Sequence, residues 1–110
     1  AGRSVPRLVG GAYLSTVMVP ARGERATAIA FTPSVDPRCT IYQNVDARGH
    51  KDPARIKANL IAQLTAPVRW TQIMRNMLTD GADNIVECGP GNVLQGLFKK
   101  VNKEVATSAA

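Results

Sequence analysis

The stretch Ile85-Val86-Glu87-Cys88-Gly89-Pro90-Gly91-Asn92-Val93-Leu94 decides the fold. It reads as a short buried strand, a glycine-proline-glycine turn and the start of a helix. Val93, Leu94, Leu97, Phe98 and Val101 follow at helical spacing and make one apolar stripe. Gly89 and Gly91 tolerate backbone angles that a side chain resists, and Pro90 fixes the turn between them. A strand turning sharply into a helix is the repeating joint of α/β proteins.

Such a joint can serve as an anion cradle, because helix N-termini present free N–H groups. It can also simply pack a helix on a sheet. Gly89 to Leu94 is not G-x-G-x-x-G, since Leu94 holds the last position, and no Lys-Ser or Lys-Thr follows as in a P-loop. The motif therefore favours the packing turn.

Working outward, Trp70, Ile73, Met74, Met77 and Leu78 sit at i, i+3, i+4, i+7 and i+8, which predicts an amphipathic helix over 70–79. Asp80-Gly81 supplies its C-cap. Upstream, Asp52-Pro53 reads as an N-cap followed by proline in the first turn. That helix is expected to run to about Leu64 and to bury Ile56, Leu60, Ile61 and Leu64. Residues 39–45 (CTIYQNV) read as a strand and 46–51 (DARGHK) as a polar loop. Residues 20–30 predict a proline-opened helix weakened by Gly23, and residues 5–9 (VPRLV) a short edge strand. Residues 102–110 read as a frayed tail. The order is α/β, with too few strands for a comfortable sheet.

At 110 residues, 45% of them apolar, the chain suits one domain with a core. The net charge of +6 favours acidic partners such as nucleic acid, phosphorylated ligands or an acidic carrier protein. The basic residues are scattered, however, and the five aromatics do not interleave with them, which argues against nucleic acid. Cys39 and Cys88 match no metal spacing and are expected to be reduced core residues. His50 is the single histidine and is expected at the surface. No metal or cofactor site is expected. No apolar run is long enough for a membrane span and no signal h-region is visible, so a cytoplasmic location is the expectation.

No complete active site is spelled out. Ser4, Ser15, Ser34 and Ser108 are the serines, and none stands in G-x-S-x-G; the carboxylates are dispersed. On its residues alone this is a basic α/β domain.

Three stretches carry a specific resemblance: residues 41–47 (IYQNVDA), 59–71 (NLIAQLTAPVRWT) and 86–97 (VECGPGNVLQGL). In this order and spacing, with Q-L-x-x-P-V-x-W and E-x-G-P-G-x-V-L, the chain resembles the C-terminal part of malonyl-CoA:acyl-carrier-protein transacylases. The resemblance runs from about Arg3 to Val101. It implies an α/β-hydrolase-like large subdomain, to which residues 11–101 would belong, and a ferredoxin-like small subdomain, of which residues 1–10 would be the last strand. Residues 102–110 would be a flexible tail.

The implied activity is malonyl transfer from CoA to the carrier's thiol through an acyl-serine. A serine in G-H-S-x-G is the nucleophile, a histidine its base, and an arginine the partner of the malonyl carboxylate. The serine and arginine belong to the part of such enzymes that this chain does not match. The histidine position falls on Leu14, within Gly11-Ala12-Tyr13-Leu14-Ser15-Thr16-Val17-Met18, and leucine cannot accept a proton. Gln63 matches the glutamine whose backbone carbonyl orients that histidine. The resemblance thus implies malonyl-CoA and acyl carrier protein as partners, and a chain inactive alone. The alternative is an interaction module that docks a carrier protein or a complementary chain.

Overall fold

The computed structural model describes residues 19–110. Leu14 and the strand expected at residues 5–9 lie outside the described residues. The order is α1 (Val19–Phe31), β1 (Ile41–Tyr42), β2 (Gly49–His50), α2 (Pro53–Ala62), a 3-10 turn (Gln63–Thr65), α3 (Trp70–Thr79), β3 (Asn84–Glu87), α4 (Val93–Val101) and β4 (Ala106–Ala109). Helix and strand are mixed, as α/β patterning leads one to expect.

The helix ends follow local chemistry. Asp52 accepts the N–H of Ala54 at 3.1 Å, with Pro53 opening α2. α3 ends in a Schellman motif: the N–H of Gly81 donates to the carbonyl of Leu78 and that of Ala82 to Met77. Gly81 takes φ +102°, a left-handed angle that glycine adopts without penalty.

The core centres on Met74, Phe98 and Val105, with Trp70, Met77, Leu78, Ile85, Leu97 and Val101 packed around them. Trp70 meets Phe98 edge-on, centroids 5.9 Å apart at 88°. The i, i+3, i+4 stripe of α3 and the stripe of α4 thus face one another as their periodicity requires.

Four expectations need correction. The strand expected over 39–45 is only Ile41–Tyr42, and part of the supposed loop, Gly49–His50, pairs with it antiparallel. The chain reverses between them because the N–H of Ala47 donates to the Gln43 carbonyl at 3.0 Å, with Ala47 at φ +60°. A Cβ at Gly49 would overlap Thr40 Cγ2 and touch the Tyr42 ring, so a larger residue there would have to push the Thr40 side chain aside. In α2 the inward face is turned. Asn59 is buried while Leu60 stays 37% exposed, because the Asn59 amide donates to Gln43 Oε1 at 3.0 Å and Gln43 Nε2 donates to the Ile56 carbonyl at 2.9 Å. Cys39 and Cys88 are free and exposed rather than core residues. The expected flexible tail over 102–110 contains a strand: β4 pairs parallel with β3 in the register Asn84↔Ala106 to Glu87↔Ala109, anchored by buried Val105.

Among the described residues the strands form two two-stranded sheets. Parallel strands are ordinarily covered on both faces, yet Val86 of β3 is 50% exposed, and Val93 at the start of α4 is 71% exposed. No helix among the described residues is long and apolar enough to cross a membrane.

Candidate functional site

The joint between β3 and α4 resolves the choice between cradle and packing turn. Gly89 and Gly91 take φ +111° and +87°, so the turn depends on glycine at both positions. Asn92 occupies the N-cap but makes no side-chain capping bond. Glu87 does that work from the last position of β3. One carboxylate oxygen accepts the N–H of Leu94 at 3.3 Å and the other that of Gln95 at 3.4 Å. Glu87 is buried, and a buried carboxylate needs such donors. The positive end of the helix stabilises it further. An external phosphate at these N–H groups would meet a like charge already in place.

Gln63 is the C-cap of α2, its own N–H donating to the Asn59 and Ile61 carbonyls. Its carbonyl accepts the N–H of Ala66 at 3.3 Å, closing the 3-10 turn. A carbonyl oxygen carries two lone pairs, so it retains acceptor capacity. Gln63 lines a groove of about 350 Å³ between this turn and α1, with Arg25, Ile29, Leu60 and Leu64 among the walls. Leu14, the other site position read from the sequence, lies outside the described residues.

His50 is tied to Asp46, Nε2 to Oδ2 at 2.7 Å. Partial desolvation pushes the Asp46 carboxyl up. The Arg48 N–H, the His50 hydrogen bond and charge, and the Arg55 charge outweigh it and hold the carboxyl below its ordinary value. Tyr42 donates its hydroxyl to Asp80, and that hydrogen bond, with burial and the carboxylate charge, raises the phenol above its ordinary value. Among the described residues Ser34 is in an exposed loop, Ser108 is on exposed β4, and His50 has Asp46 as its partner. No group of three or more His, Cys, Asp and Glu gathers there as a metal site.

Sequence reasoning did not assign roles to Glu87, Asn59 and Gln43. The available signal was a polar residue inside an otherwise apolar periodicity: Glu87 closes an apolar strand and Asn59 stands between Ile56 and Leu60.

No family model matches the chain. A malonyl CoA-acyl carrier protein transacylase of Bacillus subtilis is 35% identical over 109 residues, covering 99% of this chain and 34% of the relative. The one from Staphylococcus aureus is 34% identical over 96% of this chain and again 34% of the relative. The chain therefore spans about a third of the length of the curated relatives it matches. The solved acyl carrier protein S-malonyltransferase of Vibrio cholerae superposes with a TM-score of 0.86 at 36% identity, covering 98% of this chain and 35% of that one. A structure of a type II polyketide-synthase acyl carrier protein in complex with its malonyl-transacylase gives a TM-score of 0.85 at 29% identity, covering 98% and 35%.

Proposed function

We propose that this chain belongs to the malonyl-CoA:acyl-carrier-protein transacylase family and forms the C-terminal part of the large subdomain of such an enzyme. In this reading residues 11–101 return to an α/β-hydrolase-like core, and residues 1–10 leave a ferredoxin-like small subdomain. The observation that carries the reading is the extent of the match, 34% identity over 96% of the chain.

The reaction proposed for the whole enzyme is a two-step acyl transfer. A serine oxygen attacks the malonyl thioester carbonyl, a histidine takes the serine proton, and CoA leaves as its thiol. The carrier's thiol then attacks the acyl-serine, which regenerates the serine and leaves a malonyl-carrier thioester. Backbone N–H groups hold the oxyanion in both steps.

This chain supplies framework to that chemistry. Gln63 offers a backbone carbonyl at the end of α2, beside α1, and α1 is the helix that directly follows Gly11–Met18. Leu14 stands where the base belongs, and loss of a general base costs about 10²–10⁴-fold. The Glu87 cap fixes α4 against β3. The basic balance of the chain suits an acidic carrier.

A second reading, that the chain is an interaction module for a complementary chain, is favoured by the exposed Val86, Val93 and Leu94 along the β3–α4 joint. The two are separated by one set of incubations with malonyl-CoA and acyl carrier protein, with malonyl-carrier read by mass. The chain alone gives no transfer, and neither does Leu14→His. A polypeptide carrying the G-H-S-x-G portion, added to Leu14→His, gives transfer at least about 10²-fold above the same mixture with Leu14. Transfer by the unmodified chain alone overturns the framework proposal. A complex with the G-H-S-x-G polypeptide in which Leu14→His gains nothing supports the interaction module instead.

A further inference from the structure

We propose that the polar cavity between the β1–β2 loop and α3 binds a phosphate dianion carried as a monoester on a small molecule. The cavity, about 300 Å³, shares no residue with the Gln63 groove. Its volume is at the lower end for small-molecule sites. Arg48 lines it from the loop, Arg69 from the residue before α3, and Arg75 from α3 itself, and Gln72 and Asn76 are also in the lining. Among the described residues none of these three guanidiniums makes an ion pair or a side-chain hydrogen bond. Gathering three unneutralised cations around one concavity costs repulsion that an anion would relieve.

The charges match in number. Asp46 is the one carboxylate on the wall, so three arginines against it leave +2. Asp46 is already occupied by the Arg48 N–H and His50. A phosphate monoester carries about −1.5 to −2 near neutral pH. Guanidinium forks and side-chain amides are the donors that match its oxygens. The walls are also held in place. Asn76 Nδ2 donates to the Ala47 carbonyl at 2.7 Å, which fastens the loop to α3, and Ala47 is buried between Asp46 and Arg48. A small concave site with two side-chain amides in its lining fits a compact ligand better than the broad acidic face of a protein.

The proposal does not depend on the transacylase reading, and its test needs no turnover. Titration calorimetry on the full chain would use adenosine 3′-monophosphate, inorganic phosphate, adenosine and an oligoglutamate peptide as probes. The variants are Arg48→Gln, Arg69→Gln and Arg75→Gln, all at exposed positions, with Lys103→Gln as the control for loss of one charge elsewhere. Far-UV circular dichroism confirms that each is folded. The expected result is saturable one-to-one binding of the nucleotide, weakened roughly tenfold or more by each arginine substitution. Lys103→Gln should change it less than about twofold, and adenosine should not bind. No saturable binding, equal losses in Lys103→Gln, equal affinity for inorganic phosphate, or tighter binding of the peptide would each overturn the proposal.

Discussion

The carboxylate of Glu87 accepts the backbone N–H of Leu94, so the last residue of β3 caps the helix that the Gly89-Pro90-Gly91 turn launches. Strand, turn and helix are thereby locked into one unit. Removing the carboxylate leaves the Leu94 and Gln95 N–H groups without their acceptor. Glu87→Ala is expected to destabilise the chain by about 1–2 kcal/mol, the usual cost of losing an N-cap acceptor. Glu87→Gln keeps one acceptor oxygen and should lose less. Urea unfolding followed by the fluorescence of Trp70, which packs on Phe98 of α4, reads both. An Ala variant with an unchanged midpoint would show that the helix is capped by water.

What was legible in the sequence followed periodicity and local capping chemistry. The stripe from Trp70 to Leu78, the Asp52-Pro53 start, the Asp80-Gly81 stop and the Gly89-Pro90-Gly91 turn are all set within a few residues of chain, and the structure has each of them. The less legible parts depend on long-range partners. Whether Asn59 or Leu60 faces inward is decided by Gln43, sixteen residues away. Gly49–His50 becomes a strand only because Ile41–Tyr42 lies opposite. The Arg48, Arg69 and Arg75 cluster is assembled from a loop and a helix, and scattered arginines carry no such signature in sequence. A resemblance singled out Gln63, and its groove with α1 comes from packing that no local pattern encodes.

The closing strand shows the same limit and can be tested. Residues 106–109 (ATSA) are weakly apolar and read as tail, but β3 offers them a parallel edge, and Val105 is 5% exposed within the core. Ala110 extends the pairing, its N–H donating to the Glu87 carbonyl at 3.0 Å. Val105→Ala is expected to cost about 1–3 kcal/mol, from lost burial and the cavity left behind. A frayed tail would place the same substitution within about 0.5 kcal/mol of zero. Urea midpoints separate the two, and hydrogen exchange at Ser108 and Ala110, whose N–H groups face β3, gives a second readout, with slowed exchange expected from the strand.

The Asp46–His50 pair makes stability depend on pH in a definite direction. The Asp46 carboxyl is held below its ordinary value in the folded chain, so the folded state binds its proton less readily than the unfolded state does. The stabilisation is fully present above the ordinary carboxylate value. It is lost as pH falls through that value, about 4, toward the lower folded one. Asp46→Asn cannot ionise and should lack this contribution at every pH. The difference in urea midpoint between the original chain and Asp46→Asn should therefore shrink as pH falls below about 4. The gap is expected to be small, because the pair is partly solvated. A gap that widens as pH falls from about 5 toward 3 would reverse the sign of the linkage and show that the carboxyl is held above its ordinary value instead.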